Sequence, residues 1–151
     1  MAISKSITFE GLKYNLDEKD RVAAALAHNG GYQRTIEAKA ANYTLTSDDM
    51  GKIFTNRGAS GEVTFTLPDA SSAFSGAHVT ILPIAAQKTT ITTATADVLI
   101  TAGDAEADSV TQNSAAIGGI IELFCDGTNW IAVPLGNTAG GTNAIRYTVT
   151  T

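Results

Sequence analysis

The side chains able to do acid, base or nucleophilic chemistry are few, and they are scattered along this chain of 151 residues. Its two histidines, His28 and His78, are far apart in sequence, and its single cysteine, Cys125, lies in an apolar run. Catalysis by a triad needs a nucleophile, a base and an orienting group within hydrogen-bond reach. We expect each histidine to be a helix-end or surface imidazole and Cys125 to be a small buried thiol. The sequence predicts no catalytic residue and no enzyme.

Two acidic stretches have spacings that metal sites also use. Asp104, Glu106 and Asp108 place a carboxylate at every second residue, but the glycine and the terminal bidentate glutamate of an EF-hand are missing. Asp48 and Asp49 are more typical of a turn in which carboxylates accept hydrogen bonds from nearby amides. We therefore expect a solvated loop at the first stretch and a turn at the second, with no metal and no cofactor.

The charge distribution argues against nucleic acid as a partner. The net charge is −5, with six basic and five acidic side chains in residues 1–42 and four basic against ten acidic side chains in the remainder. A nucleic-acid groove needs clustered Lys and Arg to displace counterions from phosphate. No apolar stretch approaches the roughly 18 residues of a membrane span, and no signal-peptide pattern opens the chain. We predict no nucleic-acid partner, no membrane partner and synthesis in a cytoplasm.

An N-terminal arm is predicted from the alternation in residues 1–14. Ile3, Ile7 and Phe9 occupy odd positions, which is the period of a strand. Two interpretations are open, namely an outer strand of the protein's own sheet or an arm that pairs with the sheet edge of another chain. We favour the arm, because a helix and a linker separate it from the main β region.

The helix is predicted over residues 15–29. Asn15 is a suitable N-cap, and Asn29 with the glycines that follow is a suitable stop. Val22 and Leu26 belong to a thin apolar stripe that must be covered by a sheet or a neighbouring subunit. Residues 32–42 are predicted to be a linker or a short edge segment, so that residues 1–42 form the arm, helix and linker.

Residues 43–151 are predicted to form a β-rich body. Residues 43–46 and 63–67 alternate apolar and hydroxyl side chains, and glycine-rich turns lie between them. Turn signals recur along the rest, with loops expected at residues 69–76, 102–116 and 135–143. Many short strands of this kind predict an antiparallel β-sandwich or a small barrel. The further strands are predicted at residues 77–84, 89–93, 98–101, 117–125, 130–133 and 144–149.

The clearest hairpin joins residues 117–125 to residues 130–133 through a four-residue loop. The first of these strands carries apolar side chains on both faces, which predicts a central strand or one covered at an interface. Trp130 begins the second strand and is predicted to lie in the core. This placement leaves few aromatic side chains for stacking on a sugar.

The body also carries a resemblance to a known group of proteins. Residues 43–68, YTLTSDDMGKIFTNRGASGEVTFTLP, are followed by LFCDGTNW at residues 123–130. This pattern resembles a β-rich module of tailed-bacteriophage virion proteins, which include head decoration (cement) proteins and the ends of tail fibres. The resemblance covers roughly residues 43–134. It implies a structural role in the virion and assembly as a homotrimer.

The preferred hypothesis is a trimeric capsid decoration protein that binds the outer surface of a phage head. In this hypothesis the arm and helix contact the major capsid protein while the acidic body forms the trimer. The alternative is a tail-fibre or receptor-binding module for host glycans, although no coiled-coil heptads or collagen-like triplets precede the β module. A small glycan hydrolase is a third hypothesis. The predicted capsid contacts are Ile3, Ile7, Phe9, Val22 and Leu26.

Overall fold

A computed structural model describes residues 6–9, 12–15, 34–94, 99–101, 103–112, 115–135 and 147–150. The chain divides into two units, residues 1–33 and residues 34–151. Residues 34–42 therefore lie in the same unit as the β-rich body.

In the first unit the structure describes two short strands, β1 (Ser6–Phe9) and β2 (Leu12–Asn15). They pair with each other in antiparallel orientation and form a sheet of their own. The strand pattern predicted over residues 1–14 is confirmed for residues 6–9 and 12–14, and its role as an arm that pairs with another chain stays a prediction. The predicted helix lies outside the described residues, apart from Asn15, which ends β2.

The second unit is built from short strands. Two 3₁₀ helices, Ser47–Asp49 and Ser72–Phe74, are described between strands of this unit. The described strands are β3 (Ile36–Ala38), β4 (Tyr43–Thr44), β5 (Ile53–Thr55), β6 (Val63–Leu67), β7 (His78–Leu82), β8 (Thr89–Thr93), β9 (Leu99–Thr101), β10 (Asp104–Ala107), β11 (Ser109–Gln112), β12 (Ile120–Cys125), β13 (Trp130–Leu135) and β14 (Tyr147–Thr150).

These strands form two sheets, and the predicted mainly β fold is confirmed. The seven-stranded sheet has the order β10-β9-β13-β12-β7-β5-β3, and the five-stranded sheet has the order β14-β11-β8-β6-β4. Both sheets are mixed, whereas the sequence predicted antiparallel ones. The reason is the path of the chain, because β3 to β8 alternate between the two sheets. Between two strands of one sheet, the chain passes through a strand of the other sheet before it returns. As a result β3, β5 and β7 run parallel to one another, and so do β4, β6 and β8.

One hydrophobic core lies between the two sheets, as expected for a β-sandwich. The rings of Phe54 in β5 and Phe65 in β6 are 6.0 Å apart, although these strands belong to different sheets. Trp130 is fully buried, and its indole N–H donates to the carbonyl oxygen of Pro68 at 2.8 Å. Cys125 is also buried, so both core predictions are confirmed. Full burial of each large aliphatic or aromatic side chain contributes about 1.5–3 kcal/mol.

The predicted hairpin is confirmed as the β12–β13 pair. Its loop is fixed by Asp126, whose Oδ1 accepts hydrogen bonds from the amides of Thr128 at 2.8 Å and Asn129 at 2.7 Å. These bonds, that of Asn129 first, lower the pKa of the Asp126 carboxyl. Gly127 has a φ of 98°, and a Cβ built there would lie 3.3 Å from the Cβ of Ser75. A side chain at Gly127 would therefore be strained in both backbone and packing.

The predicted loop over residues 102–116 is wrong, because most of it forms β10 and β11. Ala107, Val110 and Gln112 are buried while intervening residues are more exposed. Carboxylates at every second residue share one face of a strand as readily as they line a loop. Asp104 and Glu106 lie in β10, and Asp108 lies in the bend between β10 and β11. β10 also carries a register irregularity against β9, which obscures the alternation.

Candidate functional site

Two of the five predicted capsid contacts fall in a described strand. Ile7 and Phe9 lie in β1. Ile3, Val22 and Leu26 lie outside the described residues. The capsid contact of these five residues stays a prediction.

The outer face of the seven-stranded sheet is unusually apolar. Its exposed large side chains include Ile36, with 65% of its surface accessible, Leu135 with 42%, Phe124 with 39% and Val133 with 37%. Phe124 and Val133 follow buried core residues in β12 and β13, so they face away from the core. The strand register places Leu135 and Ile36 on the same outward face. We define the outer apolar face as Ile36, Ile53, Leu82, Ile120, Phe124, Ile131, Val133 and Leu135.

The strand register brings these side chains together on one surface. Phe124 lies opposite Ile131, and Ile120 lies opposite Leu135, across the β12–β13 pair. Ile36 lies beside Ile53 across the parallel β3–β5 pair. Adjacent positions on one face of a sheet have Cβ atoms about 4.5–5.5 Å apart. The face therefore presents neighbouring apolar groups rather than isolated ones.

A polar group interrupts the outer apolar face near its centre. A nitrogen of the Arg34 guanidinium lies 3.7 Å from Oε1 of Glu122, and the hydroxyl of Thr80 donates to the same oxygen at 3.4 Å. Arg34 also donates to the carbonyl oxygens of Gly51 at 2.9 Å and Lys52 at 3.1 Å. Arg34 is thus anchored by backbone acceptors. A fixed charge pair in an apolar surround favours one orientation of a partner over others.

The outer face of the five-stranded sheet has the opposite character. Its outward positions carry hydroxyl side chains, because in β6, β8, β11 and β14 a Thr or Ser alternates with inward-facing residues. The hydroxyl oxygens of Thr90 and Thr111 are 3.0 Å apart across two strands. We define the hydroxyl face as Thr44, Thr64, Thr66, Thr90, Thr92, Ser109, Thr111, Thr148 and Thr150.

A charged cluster closes the side of the sandwich where β3 and β4 are the edge strands. Nζ of Lys52 lies 2.7 Å from Oε1 of Glu37 and 3.0 Å from Oδ1 of Asp49. Oδ2 of Asp49 accepts hydrogen bonds from the hydroxyl of Tyr43 at 2.9 Å and the amide of Thr46 at 2.9 Å. The prediction that a carboxylate here bonds nearby amides is confirmed for Asp49. The cluster links side chains of β3, β4 and the Ser47–Asp49 helix beside this edge.

The pKa shifts in this cluster fix each group in its usual charge state. Hydrogen bonds to Glu37 and then Asp49 raise the pKa of Lys52. Burial tends to raise the pKa of Asp49, but hydrogen bonds from Thr46, Lys52 and Tyr43 outweigh it and hold that pKa below its ordinary value. The hydrogen bond to Asp49, followed by burial, raises the pKa of Tyr43. An amine and a phenol whose pKa values are raised stay protonated at neutral pH, so they are not available there as general bases or nucleophiles. We assign the cluster a structural role.

The remaining chemical candidates do not converge. His78 is exposed, as predicted for a surface imidazole, and its ring centroid is 6.4 Å from that of Phe124. His28 lies outside the described residues. In β10, Oδ1 of Asp104 accepts from the amide of Glu106 at 2.9 Å. Within the described ranges, no group of three or more His, Cys, Asp or Glu side chains is placed to hold a metal ion.

The outer apolar face combines residues that the sequence analysis treated separately. The apolar character of both faces in residues 117–125 was the one signal that pointed to it. Ile36 and Ile53 were missed, because β3 and β5 are three residues long and show too little alternation to stand out. The exposure of Ile36 and Ile53 depends on which strands lie beside β3 and β5 in the sheet, and the local sequence does not show this.

Among the residues that the structure describes, none forms a helix long and apolar enough to cross a bilayer. Comparison of the sequence with models of protein families and with curated protein sequences finds no match in either case.

Proposed function

We propose that this chain is a structural virion protein, a trimeric capsid decoration (cement) protein that binds the outer surface of a phage head. The observation that supports the proposal best is the outer apolar face, with Ile36, Phe124, Val133 and Leu135 accessible on one sheet. Neighbouring exposed apolar side chains on one surface often mark a protein–protein interaction site. A protein that works through such a surface needs partners of matching shape and no catalytic group.

In the proposed assembly, copies of the body associate through the outer apolar face. The arm and the predicted helix, with Ile3, Ile7, Phe9, Val22 and Leu26, contact the major capsid protein. Three arms on one trimer bind with a high effective concentration once the first has bound, so the trimer binds more tightly than a single arm. Bridging of neighbouring capsid subunits would help the shell resist the pressure of packaged DNA.

The first test is where the protein lies on intact particles. Immunogold labelling of purified virions with an antibody to this chain should place the label on heads. Label on tail tips, together with binding to a glycan array, would favour the receptor-binding alternative. Turnover of a capsule polysaccharide would favour the glycan hydrolase.

The second test separates the arm from the body. Deletion of residues 1–14 should abolish binding of the purified chain to undecorated heads while leaving its trimer mass unchanged in size-exclusion chromatography with light scattering. Retained head binding would contradict the role of the arm. A full-length chain that is monomeric at all concentrations would contradict the trimer.

A further inference from the structure

The edge of the seven-stranded sheet at β3 carries backbone groups that no described strand pairs. The amide of Ile53 donates to the carbonyl oxygen of Thr35, and the amide of Lys39 donates to that of Thr55, both at 2.8 Å. In a parallel ladder the residues that bond to the neighbouring strand alternate along the chain. Thr35, Glu37 and Lys39 therefore face β5, and the N–H and C=O groups of Ile36 and Ala38 face outward.

An apolar groove lies on the outer face next to this edge. Ala38, Thr55 and Leu82 are neighbours across β3, β5 and β7, and they line the groove together with Ile36 and Ile84. Its volume is about 270 Å³, which is below the roughly 300–1,000 Å³ of sites for drug-sized molecules. Ala38 is small, so a larger side chain beside it on an added strand can lean across it. The groove suits apolar side chains of a polypeptide.

An unpaired cation stands at the rim of the groove. Arg57 lines it and is exposed, and it forms no ion pair or hydrogen bond with any residue that the structure describes. By contrast, Arg34, Lys39 and Lys52 all lie within ion-pair distance of carboxylates. Arg can bind a carboxylate with two parallel hydrogen bonds. A partner with a carboxylate at this position would complement the charge of Arg57.

We propose that β3 is a strand-addition site for an extended segment of a partner protein. The segment adds to the seven-stranded sheet as an eighth strand, and its backbone bonds the N–H and C=O groups of Ile36 and Ala38. Apolar side chains at alternate positions of the segment fill the groove, and an acidic side chain on the same face pairs with Arg57. Main-chain bonds supply affinity in this mode, and the pockets for alternate side chains supply specificity.

This proposal goes beyond the virion role and does not depend on it. The proposed contacts lie at one edge of the outer face. Because they include unpaired backbone groups of an edge strand, they favour binding of an extended segment over packing against another sheet. It can be tested on the isolated full chain, so failure of head binding would leave it standing.

The probe is a capped, fluorescently labelled peptide with threonine at every second position. The positions between the threonines carry leucine, leucine and glutamate, in that order. A second peptide with the reverse order covers the other strand direction. We expect saturable binding of one of them in fluorescence anisotropy. The same peptide with N-methyl groups on the amides that face β3 should lose at least about tenfold in affinity, because it cannot donate to the edge. Replacing its glutamate by lysine should cost about fivefold or more.

Protein variants test the same contacts from the other side. Ala38→Pro removes only an outward-facing N–H and should weaken binding about three- to tenfold. The matched control is Thr44→Pro, since Thr44 has the same outward-facing position in the edge strand β4 of the other sheet. Arg57→Gln should weaken binding about fivefold, and Lys88→Gln, at an exposed cation away from the groove, should not.

Several results would overturn the proposal. Equal binding of the N-methylated peptide would show that the edge is not used. Equal loss with Ala38→Pro and Thr44→Pro would show a general effect on folding. If the unliganded chain self-associates and Ala38→Pro alone dissociates it, the occupant of the edge is a second copy and not a partner segment. No binding of either peptide at millimolar concentration would also refute it.

Discussion

The two outer faces of this sandwich differ in chemistry although they share one core. Along β6, buried Val63, Phe65 and Leu67 alternate with Thr64 and Thr66, so the outward positions of the five-stranded sheet are hydroxyls. Along β12 and β13 the outward positions include Phe124, Val133 and Leu135. Threonine combines β-branching with a group that water can solvate. The hydroxyl face therefore satisfies strand propensity and hydration together.

The side chains of the outer apolar face also favour strand formation, but they carry no group that water can solvate. An apolar side chain stabilises the fold by the area it removes from water, and Ile36 keeps 65% of its surface exposed. Folding of the single chain gains little from such a residue, whereas association with a partner gains the whole remaining area. The contrast teaches that folding of the single chain does not account for the outward residues of the seven-stranded sheet, whereas the proposed association would.

The largest expected effect comes from the core that both faces share. Trp130→Ala should lower the free energy of unfolding by about 3–5 kcal/mol, because it empties a fully buried site and removes the bond to Pro68. Urea denaturation followed by circular dichroism measures the loss. Hydrogen exchange should then quicken in both sheets alike. Faster exchange in the seven-stranded sheet alone would show that the two faces do not depend on one core.

A smaller effect is expected at the charged cluster beside β3. Asp49→Ala should cost about 1–2 kcal/mol at neutral pH, because it leaves the Thr46 amide and the Tyr43 hydroxyl without their acceptor. Asp48→Ala is the matched control, since Asp48 is an exposed neighbour, and it should stay within about 0.5 kcal/mol.

The same cluster predicts a dependence of stability on acid. The pKa of Asp49 is lowered by folding, so its contribution is complete above the unfolded value of about 3.9 and is lost as the pH falls through the folded value. The unfolding free energy of the wild type should fall with pH in this window, and that of Asp49→Ala should fall less steeply. Amides of β3 should exchange before those of β11 as the pH is lowered. If the amides of β3 and β11 began to exchange at the same pH, the charged cluster would not stabilise the β3 edge in particular.

The smallest effect on folding is expected from substitutions on the faces themselves. Leu135→Lys should change the free energy of unfolding by no more than about 0.5 kcal/mol, because Leu135 is already 42% exposed. It should nevertheless raise the dissociation constant of the proposed trimer at least about tenfold. Thr44→Lys on the hydroxyl face should change neither quantity. Light scattering as a function of concentration measures the difference, and equal effects of the two variants would remove the distinction between the faces.

The sequence predicted those parts of the fold in which alternation runs for five or more residues. Val63 to Leu67, the hairpin on either side of Asp126 and the burial of Trp130 follow from local patterns. For β3 the short edge segment, one of the two alternatives for residues 32–42, is confirmed, whereas β5 was not predicted, because three residues cannot establish a period. The parallel pairing was not predicted either, since it arises from the alternation of the chain between sheets and from no local residue pattern.

The candidate site could be predicted only in part for the same reason. The outer apolar face depends on which strands are neighbours, and Ile36 and Phe124 are 88 residues apart in sequence. Asn56 lies in the stretch between residues 46 and 63 where glycine-rich turns were predicted. It is nevertheless fully buried, and its Oδ1 accepts from the amides of Ile84 and Ala85 at 2.7 Å each. A local pattern reports the backbone preference of Asn, whereas its burial is set by the segment that crosses over it.

The lone cysteine offers a way to time the opening of this structure. Cys125 ends β12, is 3% exposed and has its Sγ 3.4 Å from the amide of Gly127. A thiol reagent reaches such a sulfur only when the strand around it separates from its neighbours. Since the chain contains no other cysteine, the labelling rate under native conditions reports the frequency of that single event. Assembly through the outer face of β12 should lower the labelling rate of Cys125. That rate would then measure association of the unmodified chain without an added tag.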